Sequence, residues 1–349
     1  MKVFAFLAAW LLLLLGACTE MGGWDTLSEL RARGPWRYRV ELTVASSGSG
    51  EIITDLPIRV TLGPNDLDHN ALNADATNLG FYAAPYEDGA KPLSHEIARL
   101  EPDGSSEFWV RLPTLPRSGS IRIWFYYGGD GVTVKERSAD VWRAGYVTVL
   151  HFEETEPPFA DSTRYGVHAT VPPASEGATA PHSVAGLAGA GLRYLEDTDK
   201  VRLPPVSAVN NMAPVSLSMW VYAHSERTAR LFSKGDWYVA YSQSTGRIQV
   251  RFQHGTTQTD DVFDEWNASL PLETWRGITV NWDGGLNASG LDLFTDGDPV
   301  TSFNPQNGSG AQDDDSLRPL GIGNNETSSA NRAPDAVIDE VRIARSDRS

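Results

Sequence analysis

The chain of 349 residues carries one cysteine, Cys18. A secreted fold stapled by disulfides shows an even set of cysteines in its folded part, so cross-links are excluded and stability must come from packing. Basic residues are also scarce: 29 Lys and Arg against 45 Asp and Glu leave a formal charge of −16. Such a surface repels nucleic acid and anionic lipid, which excludes both as main partners. It suits a divalent cation, or merely solubility. Apolar runs of membrane-spanning length are missing. The one long run, Val3 to Leu15, falls short of the ~20 residues that a spanning helix needs. Sequence motifs of catalysis are absent as well: no G-x-S-x-G, no H-E-x-x-H and no phosphate-binding glycine loop, with seven scattered histidines.

What is present begins with a globular composition, 41% hydrophobic and 10% aromatic, in a chain long enough for two cores, since single cores stop growing at roughly 250 residues. The N-terminus opens on Met1-Lys2, continues with the apolar run and ends Leu15-Gly16-Ala17-Cys18. Together these resemble a bacterial lipoprotein signal, in which small residues admit the peptidase and the thiol accepts a diacylglyceryl group. An ordinary signal peptide with a chance cysteine, or a short anchor helix, would read the same way. The resemblance implies a signal peptide over 1–17, lipidation of Cys18 and a tether over 18–34, with a short helix at Leu27 to Arg33. Thr19, rather than aspartate, at the second position points to the outer membrane of a Gram-negative envelope.

From Trp36 the texture changes. In Trp36 to Val44 the apolar side chains fall on even positions and the polar ones on odd, the pattern of a half-buried strand. Leu56 to Leu62, Phe108 to Leu112 and Ile121 to Tyr127 repeat it, separated by Gly, Pro, Asn and Asp clusters. Short strands between turns predict an antiparallel sandwich. The ordered blocks Leu79-Gly80-Phe81-Tyr82, Leu93-Ser94-His95-Glu96-Ile97, Trp109-Val110-Arg111-Leu112-Pro113 and Ile123-Trp124-Phe125-Tyr126-Tyr127-Gly128-Gly129 resemble the bacterial family DUF2341. That family often shows Asp-Ile-Arg-Phe where this chain has Leu79 to Tyr82, so its charge pair is missing here. The resemblance carries no activity. It does place such domains beside concanavalin-like modules, and some are joined to TolQ/ExbB-type proton channels. His95 and Glu96, adjacent on a strand, point to opposite faces, so they read as a structural pair rather than an acid and base.

The remainder reads Tyr146 to Phe152, Val215 to Tyr222, Arg230 to Gly235, Trp275 to Gly284, Leu291 to Gly297, Leu320 to Gly323 and Ala336 to Ile343 as strands, with Asp296-Gly297 as a hairpin turn. Its motifs S-x-W-V, W-x-x-x-x-V-x-W-D-G, L-x-x-D-G and I-D-E-V-R-I resemble the LamG/concanavalin A-like jelly roll. The expected architecture is therefore all-β, two tandem antiparallel β-sandwiches, over 35–142 and 143–349. Hydrolases of the jelly-roll kind supply their carboxylates from one strand as E-x-D-x-E, where period two sets them on one face. No such string occurs, so catalysis is not expected. The resemblance also implies one structural Ca²⁺ between the D-S-T-x-x-G loop and the last strand, held by Asp161 and Asp339 with carbonyls near Tyr165. Equally, Asp339 could cap a loop or pair with Arg342.

Aromatic rings exposed at the sandwich rim would stack on sugars. The candidates are Trp237, Tyr238, Tyr241 and Trp266, whereas Trp220, Trp275 and Trp282 lie on patterned strands and read as core. The function this supports is a membrane-anchored cell-envelope lipoprotein that binds carbohydrate or an envelope protein. A structural accessory of a TolQ/ExbB-type motor complex and an unrecognised glycan-active hydrolase are the alternatives. The anchor is tested directly by Cys18→Ala, which should move the protein from the detergent phase to the aqueous phase. Retention in the detergent phase would show that Cys18 carries no lipid.

Overall fold

The computed structural model describes residues 34–345 apart from 47–51, 103, 144, 236 and 327–331. The signal-like segment, Cys18 and the helix expected at Leu27 to Arg33 lie outside the described residues. The chain divides at Gly145 into two units.

The N-terminal unit holds β1 (Tyr38–Ala45), β2 (Ile53–Leu62), β3 (Leu79–Tyr82), β4 (His95–Arg99), β5 (Ser106–Leu115) and β6 (Ser120–Tyr127). They form two antiparallel three-stranded sheets, ordered β1-β6-β3 and β2-β5-β4. Alternation explains the sandwich. Leu42, Val44, Ile123 and Phe125 point inward from one sheet and Ile58, Val60, Phe108 and Val110 from the other, while Glu41 and Thr43 stay exposed. Trp36 belongs elsewhere. With Tyr82 and Tyr126 it builds a separate aromatic cluster, edge-on to Tyr82 at 6.2 Å between centroids. The short helix α1 (Ser138–Val141) brings in Trp142, whose indole N–H donates to Glu96. His95 packs instead against Phe81, 5.8 Å between centroids. Burial depresses its basicity.

The C-terminal unit holds fourteen strands. In chain order they are β7 (Tyr146–Leu150), β8 (His182–Ala185), β9 (Ala190–Tyr194), β10 (Val201–Leu203), β11 (Val215–Ala223), β12 (Ala229–Lys234) and β13 (Trp237–Ser242). β14 (Arg247–Phe252), β15 (Val262–Trp266), β16 (Trp275–Trp282), β17 (Leu291–Thr295), β18 (Asp298–Pro299), β19 (Leu320–Ile322) and β20 (Ala336–Ala344) follow. One sheet has six strands in the order β10-β19-β12-β13-β14-β15; the other runs β18-β17-β16-β11-β20-β9-β8, with β7 also paired to β20. Leu217, Met219, Ile278 and Val280 from the larger sheet meet Val239, Tyr241, Ile248 and Val250 from the smaller. Phe252 and Trp282 stack across the interior at 4.1 Å. Between β17 and β18, Asp296 and Gly297 adopt φ of 52° and 89°, the paired left-handed conformation of a type I′ turn.

Two ionic ties lie inside this unit. Lys234 is enclosed, and its Nζ donates to Asn210 Oδ1 (3.0 Å), Asp315 O (2.6 Å), Asp315 Oδ1 (3.0 Å) and Arg318 O (2.8 Å). The second tie sits at a bulge in β20, where Glu340 has a φ of 52° and the register against β11 slips between Ser218 and Trp220. The Glu340 carboxylate accepts from His151 Nδ1 at 2.8 Å and from Arg342 Nη2 at 2.7 Å. Burial pushes its pKa upward, but the charges of His151 and Arg342 overcome this and hold it at about 2. Asp339 beside it shifts the opposite way, raised by burial and by the Glu340 charge.

Glu340→Gln leaves His151 and Arg342 without an anionic partner, and breaking a buried pair in this way should cost about 3–5 kcal/mol. A carboxylate depressed in the folded state contributes stability above its unfolded pKa and loses it as pH falls through the folded one. The stability gap between wild type and variant should therefore be widest above pH ~4.5, the ordinary glutamate value, and shrink toward pH 2. Chemical denaturation across that range checks it; a gap independent of pH would refute the ion pair.

Candidate functional site

Strand register assembles a row of outward side chains across the larger sheet. β11 alternates Leu217, Met219 and Val221 into the core with Ser216, Ser218, Trp220 and Tyr222 on the other face. Pairing then aligns Tyr222 with Trp275 on β16, Tyr222 with Val337 on β20, Val337 with Arg193 on β9 and Arg193 with His182 on β8. Tyr222 and Trp275 are half-exposed, with centroids 5.4 Å apart and ring planes at 54°.

Polar groups frame these rings. His224 lies edge-on to Tyr222 at 5.2 Å and bonds Glu273 Oε1 through Nδ1 at 3.0 Å. The Tyr222 hydroxyl and His224 together draw the exposed Glu273 carboxyl below its usual range, while Glu273 raises the tyrosine. Next to them Arg193 pairs with Asp335, whose other oxygen accepts from Ser225 at 2.6 Å. Burial raises Asp335, but Ser225 and Arg193 outweigh it and leave the group depressed. Leu272 adds an exposed apolar edge, 45% accessible. Two aromatic faces, an anchored carboxylate, an imidazole and a guanidinium fit a sugar ring, with apolar C–H faces on the rings and hydroxyls to the rim. Glu273 and Asp335 are both depressed, whereas a general acid needs a raised pKa. Asp339 is raised but has no exposed surface.

The residues expected to stack on a ligand lie elsewhere. Trp237 and Tyr241 sit on β13 and Trp266 on β15, all three facing the core at 5%, 3% and 1% exposure. A ring packed on both faces cannot accept a sugar, so these three are structural. Trp237 also spends its indole N–H on Asp315 Oδ2 at 2.9 Å. Tyr238 alone faces outward, on the smaller sheet. Conversely Trp275, expected in the core, is half-exposed. Trp282 is core, and Trp220 is covered over Gly277, where a Cβ would stand 3.2 Å from the indole. Tyr222 and Trp275 had a signal in the sequence: Ser216, Ser218, Trp220 and Tyr222 share a parity opposite Leu217, Met219 and Val221, so the aromatics go with the polar face.

Asp161 and Asp339 do not form a cation site. Asp161 Oδ1 accepts from Val149 N at 2.9 Å and Thr163 N at 3.0 Å, and Oδ2 accepts from Val167 N at 2.8 Å and Thr163 Oγ1 at 2.8 Å. Asp339 Oδ2 accepts from Leu187 N at 2.8 Å and Ala188 N at 3.0 Å, and Oδ1 from Glu340 N at 2.6 Å. Each carboxylate is enclosed by donors, whereas Ca²⁺ requires a shell of oxygen acceptors. The turn around Asp339 leaves no room, since a Cβ on Gly186 would lie 2.6 Å from its Oδ2. Among the described residues no group of three or more His, Cys, Asp or Glu is placed to hold a metal.

A family model described as the concanavalin A-like lectin/glucanases superfamily matches residues 195–349. No curated protein matches the chain. Among solved structures, the binding domain of Paraclostridial Mosquitocidal Protein 1 is 14% identical, with a TM-score of 0.43, over 58% of this chain and 49% of that one. Domain 4 of AbnA, an arabinanase from Geobacillus stearothermophilus in complex with arabinotriose, is 16% identical at a TM-score of 0.37, over 57% and 92%. Trypanosoma rangeli sialidase is 15% identical at 0.42, over 71% and 40%. The chain thus spans about half of the first of these structures and less of the sialidase. The C-terminal unit has a concanavalin A-like fold, and the position of its site comes from its own residues. Because Asp161 and Asp339 are saturated by protein donors, EDTA should leave the melting temperature within about 1 °C. A fall of several degrees, restored by Ca²⁺, would put a metal in this unit.

Proposed function

We propose that the C-terminal jelly roll binds a glycan on the Tyr222–Trp275 face, and that a lipid on Cys18 holds the protein in the cell envelope with this face displayed. The half-exposed aromatic pair framed by Glu273, His224 and Arg193 carries the reading. The lectin/glucanase character of the matched family supports it. So does the electrostatics of the site: its carboxylates are set to accept hydrogen bonds rather than to deliver protons. The rings hold their position through strand pairing, so little ordering cost is left for binding.

The test is a glycan array probed with the full chain in detergent, alongside Trp275→Ala and Tyr222→Ala. Each variant should weaken a selective signal about tenfold, the loss of roughly 1.4 kcal/mol of stacking and contact. Melting temperatures should change little, because neither ring belongs to the core. Selective binding that survives both substitutions would remove this face from the function.

A further inference from the structure

The opposite side of the sandwich carries a second arrangement. On the smaller sheet, register aligns Ser233, Tyr238, Arg251 and Phe263 across four strands, with Tyr238 outward because Trp237 and Val239 point in. The guanidinium carbon of Arg230 stands 3.3 Å from the centroid of the Tyr238 ring, and that of Arg251 stands 5.9 Å away. Arg332 joins them, since the Arg230 backbone N–H donates to its carbonyl at 2.9 Å.

Arg251 has a carboxylate partner, Asp261. Among the described residues neither Arg230 nor Arg332 has one, and the charged neighbours of Arg230 are Arg332 and Arg251. In a chain of formal charge −16 counter-charges are plentiful, so two unpaired arginines beside a third are costly by any stability criterion. Burial and like charge both act against the Arg230 cation. The tyrosine ring fixes the guanidinium plane through a cation–π contact, which orients its N–H edge as a fork. A preformed fork beside a second cation is the geometry that grips a planar or tetrahedral oxyanion in two places.

We propose that Arg230, with Arg332 and Arg251 around Tyr238, is a second binding site, specific for an oxyanion borne on a sugar, either a uronate carboxylate or a sulfate ester. The sugar scaffold rests on the glycan reading above, but the recognition of the anion does not. A charged polysaccharide repelled by the rest of the acidic surface would be captured here, and its affinity would fall with salt.

Polygalacturonate, dextran sulfate and neutral dextran, each titrated into the full chain by calorimetry at 50 and 300 mM NaCl, test the proposal. At least one of the two charged polymers should bind, more weakly at high salt, and the better of them identifies the anion. Arg230→Gln should weaken it tenfold or more, Arg230→Lys should lie between, and Arg332→Gln should cost a few-fold. Trp275→Ala should leave it unchanged. Arg230→Gln should melt no lower than wild type, because it removes a cation that has no counter-charge. Charged polymers that bind Arg230→Gln as well as wild type, or that bind neither, overturn the site; so does neutral dextran competing with them. Arg230-dependent anion binding, together with no glycan selectivity on the Tyr222–Trp275 face, would keep this site and discard the other.

Discussion

Everything in the C-terminal unit hangs on a carboxylate that cannot reach water. Glu340 lies inside the sandwich between His151 and Arg342, on the strand that pairs with β11, β9 and β7. A lone buried charge would be ruinous, whereas a charge with two hydrogen-bonded cationic partners is costly to break. The tie joins the first strand of the fold to its last. The bulge that produces it turns Asp339 the other way, where its oxygens gather the amides of Leu187 and Ala188 and so fix the β8–β9 turn. Two adjacent acids thereby secure opposite sides of one strand.

The architecture was legible wherever one sheet face is polar and the other apolar. Tyr38 to Ala45 and Val215 to Ala223 alternate cleanly, and both are strands. Reading failed where a polar residue faces inward. On β15 the inward set is Val262, Asp264 and Trp266. Asp264 interrupts the apolar pattern because it is bound by Ser302 and Asn304 from a distant loop. Trp266 then looks like a rim residue when it is core. Trp237 failed for a similar reason, since its polar surroundings in the sequence belong to the Lys234–Asp315 tie. The candidate site was legible only through parity. The aromatic residues of β11 follow its serines, and no local motif marks them.

Motif resemblance was more reliable for fold than for role. The I-D-E-V-R-I string places the last strand correctly, and its two acids and arginine do meet, but Asp339 serves amides rather than a cation. A carboxylate surrounded by N–H groups and one surrounded by carbonyl oxygens look the same in sequence. Only the loops that fold over them decide which chemistry is present.

The Lys234 ammonium has a consequence of its own. Four oxygen contacts, from Asn210, two atoms of Asp315 and Arg318, surround it, a cage of the type that elsewhere receives a dissolved ion. Here the occupant is covalently part of the chain and cannot be diluted, exchanged or scavenged. The junction it makes between β12 and two long loops is therefore indifferent to the ionic make-up of the surrounding fluid. A protein facing an uncontrolled exterior keeps that junction closed whatever salts it meets.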